Sequence, residues 1–257
     1  MVRGLYTAWS GMANEQKRLD IVSNNLANAA TIGYKKDNVT NQSFDNLLTL
    51  KIKDSSEHYN DRAIGKMSLG VKLGEVYTNY GQGSLRETGN PYDLAIEGKG
   101  FFNISTKDKN GNEKIKYTRD GSFTINQDGK LVDANGYSLV GESGEVAIPV
   151  NTANVTIDGD GSIYADGVYI DKVITTDFED YSYLQKQGNS MYTALEGANE
   201  TTGTANIRQG FTEQSNVNVV SEMVDMIAVT RAYEANQKVI QTVDGTLDLA
   251  ANSVGKV

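Results

Sequence analysis

The chain has 257 residues, enough to bury a sizeable core in one domain or two. A formal net charge of −9 excludes the basic footprint of a nucleic-acid binder, and the lysines at 35, 36, 51 and 53 read as small solvated clusters. With no cysteine and one histidine, the sequence excludes disulfides, thiolate metal sites, cysteine nucleophiles and paired-histidine chemistry.

The opening segment "MVRGLYTAWSGM" lacks the long apolar core of a cleaved signal peptide, and no apolar run approaches the ~18 residues of a membrane span. Membrane insertion is not expected. Leu5, Ala8, Met12, Leu19, Val22, Leu26 and Ala29 instead advance by threes and fours, broken once at Glu15. This spacing predicts a helix with a heptad seam, packed along a partner helix or facing a core. The helix runs into "SNNLANAATIGYKK", residues 23–36. At 100° per residue, Asn24, Asn25 and Asn28 fall within about a 100° arc opposite the seam. Amides satisfy hydrogen bonds in a wet interface without adding charge. These three asparagines are therefore expected at a subunit interface, with Gly33 available to terminate the helix.

From about residue 36 to 80 the pattern weakens, which predicts an extended connector with short strands such as 71–77. His58 lies here in "DSSEHYNDR" and reads as an exposed loop residue. Beyond Gly81, runs such as "YDLAIEGKGFFNIST", "KIKYTRDGSFTI" and "VTIDGDGSIYADGVYI" alternate or are β-branched, separated by Asp-Gly and Asn-Gly turns. Consecutive hairpins are expected, turning at Gly111, Gly121, Gly129, Gly136 and Gly167, in a β domain ending near residue 205.

The C-terminus returns to the heptad. Met226, Val229, Tyr233, Asn236, Ile240, Val243, Leu247, Ala250 and Val254 step by three and four, with Asn236 the polar exception. Glu15 and Asn236 are register markers or solvated points of their seams.

Several fragments mimic chemical motifs. "DGDGSIY" from Asp158 has Ile163 and Tyr169 where a calcium loop needs Gly and Glu, and "DKNGNE" from Asp108 has Glu113 and Arg119. Both read as hairpin turns. "EGKGFFN" lacks the third glycine of a dinucleotide fingerprint. No catalytic, cofactor-binding or metal-ligating residue is assigned, and no cofactor or enzymatic activity is expected.

"LYTAWSGM" with "IVSNNLANAATIGYKK" resembles the N-terminus of the bacterial flagellar rod and hook axial proteins. "GFTEQSNVNVVSEMVDMIAVTRAYEANQKVI" is similar to that family's second signature. "GQGSLRETGNPYDLAIEGKGFF" and "YTRDGSFTINQDGKLVDANGYSLVGE" resemble its β region. The three stretches stand in the family's order and reach both ends of the chain.

The resemblance implies an α+β fold. Paired N- and C-terminal helices (1–35 plus 206–257) would form a coiled-coil-like axial core, 36–80 the connector, and 81–205 a β-rich outer domain. It implies a flagellar basal-body rod subunit that self-assembles into a helical, tubular drive shaft, most like the distal rod. Implied partners are other rod proteins, the hook protein, the flagellar export apparatus and outer bushing rings where present. Localisation in the basal body of the envelope follows, reached by flagellar export without a cleaved signal. A proximal-rod or hook-type subunit is the alternative within the family. From another class, an envelope-associated β-rich protein or carbohydrate-active enzyme could dimerise through the same helices.

Overall fold

The structure, a computed structural model, describes residues 2–50, 63–107, 113–149, 152, 154–188, 190–203 and 205–254. It is α+β and divides into two compact units. The first comprises Met1–Leu26, Asp37–Tyr77 and Val219–Val257, the second Ala27–Lys36 and Thr78–Asn218. His58, Asp108 and Gly111 lie outside the described residues.

The first unit holds helices α1 (Val2–Ala27) and α2 (Val219–Leu249). Two contacts set their direction. Asn25 Nδ2 lies 3.3 Å from Glu222 Oε2, and a Cβ added to Gly11 would lie 3.0 Å from Asn236 Nδ2. The step from 25 back to 11 equals the step from 222 on to 236, so the helices run antiparallel. Gly11, lacking a side chain, lets the amide of the polar seam residue come against the opposite backbone.

The described residues of the connector form paired strands. Strand β1 (Asp37–Ser43) pairs with β4 (Val71–Thr78), and β2 (Leu47–Leu50) pairs antiparallel with β3 (Ala63–Met67). A bond from Phe44 N to Gly70 O (3.1 Å) joins the two pairs into one long ribbon. Two strands alone are marginal in water. This ribbon is braced by α1: Thr7 Oγ1 donates to Leu69 O (3.4 Å), and Asn14 Nδ2 to Asn41 Oδ1 (3.2 Å). The chain divides between residues 36 and 37, with 27–36 in the β unit and 37–77 in the unit that holds the helices. The ribbon 37–77 folds with the helices, because its backbone finds partners there.

The second unit is built around β7 (Phe101–Lys107), which pairs with β8 (Glu113–Thr118) on one side and Ser138–Gly141 on the other. Alternation sends successive β7 side chains to opposite faces. Phe102 and Ile104 enter an aliphatic core with Leu94, Leu131, Leu139 and Ile163. Phe101 enters an aromatic core with Tyr117, Phe178 and Tyr192. The strands continue past the expected end near 205. Asn206–Gln209 pairs with β6 (Leu94–Glu97), and Phe211–Glu213 pairs with β5 (Leu85–Glu87).

Asp166 and Gly167 carry φ of 50° and 85° at the tip joining two paired strands, the signature of a tight primed turn. Gly129 and Gly136 also lie in turns with positive φ. "DGDGS" is a hairpin turn closed by Asp158 N to Ser162 O (3.0 Å). Gly121 is not a hairpin turn. β8 pairs with β7 and Met191–Ala194, and a Cβ at Gly121 would lie 1.6 Å from Leu94 O, so close backbone approach explains this glycine.

Candidate assembly interface

Along α1, the polar face turns inward. Asn25 is 1% exposed, and its amide pairs with both backbone groups of Asp37. Nδ2 donates to Asp37 O (2.8 Å), and Asp37 N donates to Oδ1 (3.0 Å). The second amide proton reaches the buried Glu222 carboxylate. Ser10 and Asn14 are buried on the ribbon side, where a Cβ at Gly70 would meet Ser10 Oγ at 2.0 Å. Strand backbone offers alternating donors and acceptors, which a carboxamide can match from a helix.

The three asparagines assigned to a subunit interface thus occupy three different settings. Asn24 is exposed, Asn25 is used inside the chain, and Asn28 closes the helix end. Thr31 N donates to Asn28 O (3.1 Å) and Thr31 Oγ1 to Asn28 Oδ1 (3.2 Å). The helix stops at Ala27, well before Gly33, so that glycine serves a different purpose. At φ +68°, its missing Cβ would lie 2.4 Å from Asp120 N. The lysine pair beside it is not a solvated cluster, because Lys35 is 0% exposed and ion-paired to Glu213.

The seam positions differ in burial. Ala8 and Val229 are buried, while Leu5, Met12, Leu19, Val22, Leu26, Met226, Tyr233, Ile240 and Val243 are half-buried. Leu247 is exposed, and α2 is followed by a π-helical turn at Ala250–Val254. Glu15 lies within the seam yet pairs with Arg18 at 3.0 Å.

What periodicity did not single out is a second apolar stripe on α2. Val220, Val224 and Ile227 are 71, 61 and 54% exposed. At 100° per residue they lie roughly 180° from Glu222, Val229 and Asn236 on the seam. Met223 extends the stripe, and on α1 Tyr6 and Trp9 are also exposed. No helix among the described residues is long and apolar enough to cross a membrane.

The sequence profile of flagella basal body rod proteins matches residues 5–35, covering α1 and the segment after it. That of the flagellar hook protein FlgE/F/G D1 domain matches 95–165, and that of the flagellar basal body rod FlgEFG protein C-terminal region matches 208–253. The chain is 34% identical to the flagellar basal-body rod protein FlgG of Buchnera aphidicola subsp. Schizaphis graminum, over 96% of this chain and 98% of that one. It belongs to the flagellar basal-body rod protein family.

This rod protein is 33% identical to the flagellar hook-basal body complex protein FlhO of Bacillus subtilis (strain 168), with both chains covered in full. It is 32% identical to FlgG of the same organism, over 98% of this chain and 99% of that one. The rod protein is a structural subunit of the flagellum, located at the basal body and assembled with other flagellar components. The first matched region holds most of α1, the second strands of the β unit and the third α2, with the ribbon between the first and second.

Proposed function

We propose that this rod subunit polymerises with copies of itself into the distal segment of a helical, tubular drive shaft that transmits torque to the hook. The stripe of Val220, Val224 and Ile227 carries the reading. A helix with apolar residues on two opposed sides needs two partners. α1 occupies one side, and the equivalent helices of neighbouring copies would occupy the other. Many such lengthwise contacts in parallel would give a shaft its stiffness, since each interface is modest alone. Resemblance to proteins named flagellar basal-body rod protein supports a place in the rod.

Family membership supports the proposed neighbours: other rod proteins, the hook protein, and bushing rings where present. Passage through the flagellar export apparatus and the lack of any catalytic role belong to the same proposal. Similarity to FlhO, equal in extent to that with FlgG, favours a second reading as a different axial segment of the same shaft.

The test is Val224→Asp in the full chain. The side chain is exposed, so the isolated protein should keep its melting behaviour within ~0.5 kcal/mol. Basal bodies purified from the mutant should lack this rod segment, and the cells should not swim. Normal swimming with intact rods would remove the stripe from the assembly. Quantifying this chain against the hook protein in wild-type basal bodies separates the two axial positions: high copy number supports the distal rod, and low copy number supports a shorter segment.

A further inference from the structure

Each stretch that carries the family resemblance contributes one residue to a single buried cluster in the second unit. Lys35 comes from "TIGYKK", Arg119 from "YTRDGSF" and Glu213 from "GFTEQSN". Glu213 Oε1 accepts from Lys35 Nζ at 2.6 Å and from Gly83 N at 2.8 Å. Its Oε2 accepts from Arg119 Nη1 at 3.1 Å. Lys35 Nζ also donates to Gly81 O (2.9 Å), and Arg119 Nη2 to Gly98 O (2.8 Å). The side chains of Lys35, Glu213 and Arg119 are 1, 0 and 4% exposed.

Two cations thus share one carboxylate away from water. Among the described residues, no other carboxylate is within ion-pair distance of either cation. Burial pulls the Lys35 ammonium below the usual lysine range even with Glu213 beside it. The consequences of removing each member are unequal. Without Lys35, Arg119 and Glu213 remain a balanced pair. Without the carboxylate, two buried positive charges face each other uncompensated.

The same place is where the chain leaving α1 is tied down. Gly33 N donates to Glu213 O (2.8 Å), Lys36 N to Asn216 Oδ1 (2.8 Å), and Asn79 N to Lys36 O (2.8 Å). Glu213 lies 178 residues beyond Lys35. An incomplete chain therefore offers the 31–36 segment no neutralising carboxylate at this site.

We propose that the Glu213 carboxylate is a charge latch that closes residues 31–36 onto the β unit, making that docking conditional on arrival of the C-terminal strand Phe211–Glu213. Until that strand is placed, the segment after α1 stays undocked while strands β7 and β8 are free to form. Neutralising Glu213 in the complete chain reproduces the open state.

Amide hydrogen exchange on the purified full chain tests this, with wild type, Glu213→Gln and Lys35→Met compared at one neutral pH. In Glu213→Gln, peptides covering 31–36 and 79–83 should exchange about a hundredfold faster, while those of β7 and β8 keep their protection. In Lys35→Met, where the remaining pair is balanced, 31–36 should stay protected. Three results overturn the latch. One is unchanged protection of 31–36 in Glu213→Gln. Another is loss of β7 and β8 protection together with it, which makes the cluster an ordinary part of the core. The third is release of 31–36 in Lys35→Met as complete as in Glu213→Gln, which makes the contact rather than the charge balance decisive.

Discussion

Asn25 pairs its side-chain amide with both backbone groups of Asp37, as a neighbouring β-strand would. The helix thereby supplies the partner that a two-stranded ribbon lacks, and the second amide proton joins α1 to Glu222 on α2. One residue holds together three segments of the first unit.

Asn25→Ala is expected to destabilise this unit by about 1–3 kcal/mol, the usual cost of leaving buried partners unmatched. Asn25→Asp should cost more. It removes both amide donors and sets a second carboxylate against Glu222 and the Asp37 carbonyl. Thermal unfolding followed by the helical circular dichroism signal checks the order. Equal melting of the two variants would mean the bidentate pairing is not made.

Gly33 and Gly89 separate two reasons for glycine. Both have positive φ, +68° and +72°, but only Gly33 has backbone in the place of a Cβ. Gly89→Ala should cost about 1–2 kcal/mol from conformation alone. Gly33→Ala adds the clash with Asp120 N and should exceed about 4 kcal/mol, which places it among the severe substitutions. Urea unfolding of the two full-length variants gives the comparison.

The aromatic core makes the second unit sensitive to alkali. Tyr181 is pushed up to about 12, first by burial and then by its hydrogen bond to Asp177 (2.7 Å). Burial and a 2.6 Å bond to Glu200 push Tyr117 higher still. A tyrosine whose folded value lies above its unfolded value of 10.0 binds its proton more tightly when folded. Its contribution is complete below pH 10 and is lost as pH rises through the folded value. Lys35 has the opposite sign, because burial lowers it, so stability rises as pH climbs from its lowered value towards 10.5. The comparison of wild type with Tyr181→Phe cancels the lysine. Their stability difference should shrink between pH 10 and about 12. A constant difference across that range contradicts the Tyr181 assignment.

The two sides of α2 should respond differently to charge. Ile240 is half-buried on the seam, so Ile240→Asp should lower helix content in the isolated protein as well as incorporation into the rod. Leu26→Asp on α1 should behave alike. Near-ultraviolet circular dichroism from the tyrosine-rich second unit should persist in both variants. Full helical signal together with normal motility would sink the seam assignment.

The two terminal helices, the alternation of Phe101 to Ile104, and the Asp166-Gly167 turn were all legible in the sequence. Each rests on a local rule, because a helix or strand repeats its facing direction every few residues. Family membership was legible for the same reason, since its signatures are contiguous stretches. The roles of Asn25, Gly33, Lys35 and Gly121 were not. An amide face reads the same whether it meets a neighbouring subunit or the chain's own ribbon, and a lysine pair reads as solvated until its carboxylate is found 178 residues away. Such partners are chosen by the approach of distant backbone, which leaves no periodic mark. Local geometry, set by short-range sterics and the burial of apolar faces, was therefore determined by the sequence alone. Only the tertiary structure decided which polar groups met out of water, because that depends on segments far apart in the chain arriving at one place.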